Sequence, residues 1–224
     1  MWFSTGRRGL TGVLGWLAAL GLLAGLGLAL GVAPREVSQG NVQRIMYLHV
    51  PSILTAYLAF AIVLVASLGY LVSRRQAWDH WAGSAAELGT VFTGLTLASG
   101  SLWGKPTWGT WWTWDARLTS TAVMFVTYVA YLMLRGMIDE AERRAQFAAV
   151  LGIVAALNLP LVHFSVLWWR TLHQPPTLLR PVPAALAGIF RFTLGVNWVS
   201  FTLLFAYLLA KRIRVGRLSE EGLP

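Results

Sequence analysis

Four histidines, twelve tryptophans and no cysteine set the chemistry open to this 224-residue chain. Without a thiol there is no disulfide, no thiolate metal ligand, no thiol redox chemistry and no C-x-x-C-H site for covalent heme attachment. Any bound group is held by imidazole nitrogen or by non-covalent contact. His49 stands in Tyr47-Leu48-His49-Val50-Pro51 and His173 in Trp168-Trp169-Arg170-Thr171-Leu172-His173-Gln174. Each lies at the margin of an apolar run, and a shared location would supply the two axial nitrogens of a six-coordinate heme. Zinc and copper use imidazole too, but two histidines without cysteine or carboxylate companions leave either site incomplete. His80 sits between Trp78 and Trp81, where an interfacial histidine needs no special role. His163 lies within an apolar run three residues after Pro160. It either bonds a neighbouring helix or freed backbone, or lines the mouth of a site.

Five of the tryptophans fall between Trp103 and Trp114, namely Trp103, Trp108, Trp111, Trp112 and Trp114. A headgroup belt accounts for two or three of these, because belt aromatics need neither clustering nor companion glycines. The remainder fit a flat aromatic shelf for a large planar apolar ligand. Gly104, Pro106 and Gly109 are expected to break regular helix early in this segment. Asp115 directly precedes the next apolar run, where a carboxylate caps free N–H groups at a helix start. Arg44, Lys105, Arg117, Arg170 and Arg180 are candidate partners for the propionates of a macrocycle. Stacking on nucleic acid is not indicated, since it would call for a soluble, groove-forming domain.

The elements that must position these groups are transmembrane helices. The chain is 56% hydrophobic and 12% charged, about half the charge of an ordinary soluble domain, usually near 25%. Apolar runs at residues 10–32, 50–72, 87–102, 119–134, 147–167 and 190–210 predict an all-α integral membrane protein of six spans in a single domain, 1–224. The first run is too long for the apolar core of a cleaved signal peptide. With both termini in the cytoplasm, eleven of the 18 Lys and Arg fall on the inner side, so the positive-inside rule favours that orientation. The Trp-rich segment 103–117, His49 and His173 then share the outer face. The third run, rich in Gly, Thr and Ser, predicts a close-packed central helix. Pro160 predicts a kink in the fifth.

The segment Trp108-Gly109-Thr110-Trp111-Trp112-Thr113-Trp114-Asp115 resembles the tryptophan-rich signature of the heme-handling proteins of cytochrome c biogenesis. Ser101-Leu102-Trp103-Gly104-Lys105-Pro106, Tyr47 to Pro51 and Thr171-Leu172-His173-Gln174 resemble the heme exporter protein C (CcmC) family, over essentially the whole chain. The heme-attaching lyases that share the Trp signature are longer, with more spans and more histidines.

The resemblance implies a subunit of a bacterial inner-membrane complex with a CcmA-type ATPase, a CcmB-type permease and the small membrane protein CcmD. Such a subunit presents heme b, non-covalently and transiently, on the periplasmic face to the heme chaperone CcmE, whose own histidine bonds it covalently. It implies that His49 and His173 are the axial ligands, and that Trp103, Trp108, Trp111, Trp112, Trp114, Asp115 and Arg117, with the Trp168 and Trp169 pair, form the platform. Leu167 and Arg170 depart from the family pattern of an acidic residue and an Asn flanking that pair, which makes the local charge more positive. No nucleophile with an adjacent base is legible, so presentation rather than catalysis is the expected role. The competing readings are a heme-transporting permease and a cytochrome b-like electron-transfer subunit. The first would need a polar path through the spans, and the second histidines inside the bundle.

Overall fold

A computed structural model describes residues 3–174 and 188–220, with side chains for 9–174 and 188–218. Arg180 lies outside the described residues. Helix α1 (Phe3–Gly27) ends in a π-helical turn, Leu28–Val32, and a short 3-10 turn, Val42–Ile45, leads into α2 (Met46–Ser73). Then follow α3 (Gln76–Trp108), α4 (Ala116–Met137), α5 (Ala141–Ala156), α6 (Asn158–Trp168) and α7 (Gly188–Glu220). Five stretches are long and apolar enough to cross a membrane: Gly9–Val32, Val42–Ser73, Ala116–Met137, Ala141–Trp168 and Gly188–Leu218.

The third expected run, residues 87–102, falls on α3, which is not among these five although its 33 residues reach about 50 Å at 1.5 Å per residue. It is less apolar than the others because its inward surface is built from small and hydroxylated residues. Thr90, Thr93, Thr96 and Ser99 each return their hydroxyl to a carbonyl one turn back, so these polar atoms enter the bundle already satisfied. The small side chains let α3 pack against α2, α4, α5 and α7, which places it at the bundle centre as the sequence predicts. A methyl group at Gly89 would lie 2.5 Å from the Phe60 ring, and Phe60 in turn stacks on Tyr128 at 3.6 Å between ring centres.

Helix α3 is also longer than its apolar run. It continues through Gly104 and Pro106 to Trp108, so the expected early break is displaced to Gly109. The reason is local. Thr107 Oγ1 donates to the Trp103 carbonyl at 2.8 Å, and the Gly109 N–H donates to Lys105 O at 3.0 Å. Gly109 adopts φ +79, the left-handed cap that glycine occupies without strain.

The fifth pass is interrupted at Leu157, near the proline expected to disturb it. Pro160 has no N–H to give Ala156 and its ring crowds that carbonyl, and α5 stops at Ala156 with α6 restarting at Asn158. Asn158 Nδ2 donates to Ser120 O at 3.0 Å, which ties the restart to α4. Helix α5 packs on α2 and α4, whereas α6 packs on α4.

Opposite the His49 and His173 end, the Arg135 guanidinium meets buried Asp79 through two contacts, Nη1 to Oδ1 at 2.5 Å and Nη2 to Oδ2 at 2.8 Å. This pair fastens α4 to the start of α3.

Candidate heme site

His49 lies in the first turn of α2, and its Nδ1 is 3.1 Å from Thr96 O and 3.2 Å from Ser99 Oγ on α3. A carbonyl only accepts, so Nδ1 carries the proton and Nε2 keeps its lone pair. The contact depends on Gly100, where a methyl group would come 2.9 Å from His49 Cε1. His173 lies in the segment after α6 and repeats the arrangement: its Nδ1 is 2.9 Å from Gln174 O, which fixes the same tautomer. Holding the second ring nitrogen on a carbonyl is how proteins orient metal-binding imidazoles.

The two rings lie 6.4 Å apart between centres, with planes inclined by 34°. Two imidazoles on opposite sides of one metal, each with a metal–nitrogen bond of about 2 Å, have ring centres about 6 Å apart. The spacing therefore matches a shared iron. Among the described residues no group of three or more His, Asp or Glu side chains could hold a metal ion. This favours a macrocycle, which brings four ligands of its own, over zinc or copper.

Both histidines line a cleft enclosing about 1260 Å³ of empty space up to its open mouth. Ile53, Leu54, Leu97 and Val162 form its apolar part, and Trp103, Trp108 and Trp112 add aromatic wall. His49 meets the Trp103 ring edge-on at 5.8 Å, and His173 meets Trp108 at 6.1 Å. Trp103 Nε1 donates to Gln39 Oε1 at 2.8 Å, whereas Trp112 Nε1 is buried without a partner. A large apolar pocket with few polar groups is the usual form of a site for a planar cofactor.

Of the described candidate cations, Arg117 lines this cleft. Its Nη2 donates to His163 O at 2.6 Å, and among the described residues its buried Nε has no hydrogen-bond partner. Arg44 is committed elsewhere, on the Ala29, Leu30 and Ala33 carbonyls that end α1. Lys105 donates to Gly109 O. Neither Lys105 nor Arg170 lines the cleft.

Asp115 stands outside the cleft and organises it. Its Oδ1 accepts from Leu118 N at 2.9 Å, the N-cap expected from its place before α4. Its Oδ2 accepts from Thr171 Oγ1 at 2.7 Å, and Thr171 Oγ1 accepts from the His173 N–H at 3.0 Å. The carboxylate thus positions the backbone that carries one of the two imidazoles. His173 is held well below the ordinary histidine range, at about 4, because burial disfavours its charged form and the Arg117 guanidinium repels it.

The remaining candidates are outward. Trp111, Trp114, Trp168 and Trp169 are more than half exposed; Trp114 sits edge-on to Trp112, and Trp168 to Trp169. His163 lines the cleft beside Tyr57. Tyr57 was not singled out from the sequence, although His49, Ile53 and Tyr57 recur every four residues and so share one helix face. Gln39 and Thr171 belong to connecting segments, where no periodicity marks them.

Comparison with known proteins identifies the family. A family model described as heme exporter protein C matches residues 1–222. Heme exporter protein C of Bradyrhizobium diazoefficiens is 44% identical over 177 residues, covering 79% of this chain and 67% of that protein. Heme exporter protein C of Escherichia coli K12 is 38% identical over 185 residues, covering 82% and 74%. A putative cytochrome c biosynthesis ccmC-like mitochondrial protein of Marchantia polymorpha is 37% identical over 147 residues, covering 66% and 62%. A match of this extent, on a helical chain whose histidine pair faces a tryptophan-lined cleft, means that the chain belongs to the heme exporter protein C (CcmC) family.

Proposed function

We propose that this chain holds heme b non-covalently between His49 and His173 at the outer face of the bacterial inner membrane and presents it to a CcmE-type chaperone. The observation that carries the reading is the pair of imidazoles 6.4 Å apart, each with Nδ1 on a carbonyl. Heme is the cargo, and its iron supplies the two coordination positions that these nitrogens fill. Trp103, Trp108 and Trp112 enclose the macrocycle, while Arg117 receives a propionate through the donor that the protein leaves unpaired. Asp115 acts through Thr171 as a positioning residue for His173.

Trp111, Trp114, Trp168 and Trp169 are exposed, and we assign them to the chaperone. In this reading the CcmA-type ATPase, CcmB-type permease and CcmD-type subunit complete the assembly. The bond to heme is made by the chaperone's histidine, and the residues of this chain bind and orient.

Coordination through two neutral imidazoles leaves the cargo removable, because no covalent bond to this chain has to be broken at transfer. The test is optical: the purified chain loaded with heme shows the low-spin spectrum of a bis-histidine complex. The His49→Ala and His173→Ala double variant loses it, and an unchanged spectrum in that variant would sink the assignment.

A further inference from the structure

At the end of the bundle remote from His49 and His173, α1 and α7 part company. Nearer the middle they touch closely: methyl groups at Gly21 and Gly25 would lie 2.7 Å from Ser200 Oγ and 2.6 Å from Asn197 Oδ1. At Gly15 the Tyr207 ring still reaches α1, with 2.9 Å to an added methyl, but at Gly12 and Gly9 nothing lies within 4 Å. The helices have splayed. The groove between them encloses about 1030 Å³ of empty space including its open side, lined by Gly12, Trp16, Tyr207, Lys211 and Arg214 among others.

Two cations stand at its rim. Lys211 and Arg214 are three residues apart on α7 and so share a face. Elsewhere at this end, Arg135 sits on Asp79, Arg143 on Glu140 and Arg212 on Glu87. Among the described residues Lys211 and Arg214 have no carboxylate partner; the Lys211 ammonium lies 5.6 Å over the Tyr207 ring. Helix-dipole compensation at the end of α7 explains why cations occur there. It does not explain a splayed groove beneath them.

The groove is continued by an apolar stripe. Trp16, Leu20 and Leu23 are 73%, 60% and 66% exposed and recur at helical spacing along α1, within a segment apolar enough to span a membrane. An amphipathic indole at the boundary between such a stripe and two cations without a carboxylate partner among the described residues suits a ligand with a charged head and acyl tails. Water-soluble phosphate would use the cations and leave the stripe idle. A choline headgroup would place its own positive charge against Lys211 and Arg214.

We infer that the groove between α1 and α7 binds an anionic glycerophospholipid, with its phosphodiester on Lys211 and Arg214 and its acyl chains along Trp16, Leu20 and Leu23. The lipid fills the gap where the two helices separate. It thereby joins α1, which packs against no other helix than α7 to any extent, to the rest of the bundle.

The test uses the full chain in nanodiscs containing lipids with brominated acyl chains, which quench nearby indoles. Trp16 is isolated as the difference between the native chain and Trp16→Phe. Brominated phosphatidylglycerol is expected to quench Trp16 with a relative association about fivefold above brominated phosphatidylcholine, which corresponds to about one interfacial cation. Replacing Lys211 and Arg214 together by Gln should abolish that preference, while Lys211→Arg keeps it. Equal quenching by the two lipids overturns the inference, as does an undiminished preference in the double Gln variant. Inorganic phosphate is added in a separate arm: no relief of quenching is expected, and relief would show a free-phosphate site in place of a lipid site. Both substituted side chains are exposed, and circular dichroism of each variant verifies the fold.

Discussion

Thr171 Oγ1 donates to Asp115 Oδ2 at 2.7 Å across 56 residues of sequence. The same hydroxyl oxygen accepts the His173 backbone N–H, so the carboxylate that caps α4 also fixes the segment bearing an imidazole. Thr171→Val removes the link without substituting any cleft-lining side chain. A hydrogen bond to a charged group contributes roughly 1.5–3 kcal/mol, so heme affinity should fall about tenfold or more, with a low-spin to high-spin shift as His173 loosens. Titration by absorbance checks both. Thr171→Ser should restore them.

Arg117 has one guanidinium arm on His163 O and a buried Nε without a partner. Arg117→Gln is expected to weaken heme binding about tenfold, the scale of one charge-assisted hydrogen bond. A heme whose propionates are esterified should bind the native chain more weakly and the variant no differently from free heme. If esterification costs both proteins the same, Arg117 does not meet a propionate.

Gly100 and Gly89 both lie on α3 and separate site from scaffold. Gly100→Ala would press on His49 and should reduce the low-spin heme signal while thermal stability is kept, because the imidazole is the side chain displaced. Gly89→Ala meets the Phe60 ring inside the core. It should lower stability by about 1–3 kcal/mol with the bis-histidine spectrum unaltered in the protein that folds.

The lowered pKa of His173, about 4, gives the pH dependence a definite sign. Between about pH 6.5, the unfolded value, and pH 4 the unfolded chain binds a proton that the folded chain refuses. Stability from this group therefore rises with pH through that window and is lost on acidification. Coordination by His173 should persist at pH 5.5, where a free imidazole would be mostly protonated. A spectrum lost near pH 6.5 in a chain that is still folded would contradict this environment.

Asp79→Asn leaves the Arg135 charge without its partner, a change that typically costs about 3–5 kcal/mol in a buried pair. Unfolding by chemical denaturant should detect it. The paired replacement Asp79→Leu with Arg135→Met removes both charges and should recover most of the loss.

Much of this was legible in the sequence because hydropathy and glycine content speak directly about membrane spans and close packing. The small residues of α3 announced its central place, and Asp115 announced its cap. What the sequence misjudged was Gly104 and Pro106 as helix breakers: Pro106 forfeits a single hydrogen bond in the last turn, and the Thr107 hydroxyl supports the turn that Pro106 weakens. The choice of Arg117 over Arg44 was not legible either. Both are cations toward the His49 and His173 end of the bundle, and only the fold reveals that Arg44 is committed to the end of α1. The Thr171 link was hidden for a related reason, since a contact between two distant loops leaves no local pattern.

The interruption between α5 and α6 gives one membrane pass two owners. Its lower half is braced by α2 and α4, and its upper half, with Val162 and His163 in the cleft wall, answers to α4 through Asn158 and Arg117. Displacing that wall would work against two hydrogen bonds, the joint at Leu157 and the packing of α6 on α4. Val162 belongs to the same buried core as the stacked Phe60 and Tyr128, and Tyr128 itself stands on α4, so the wall and that core are mechanically joined.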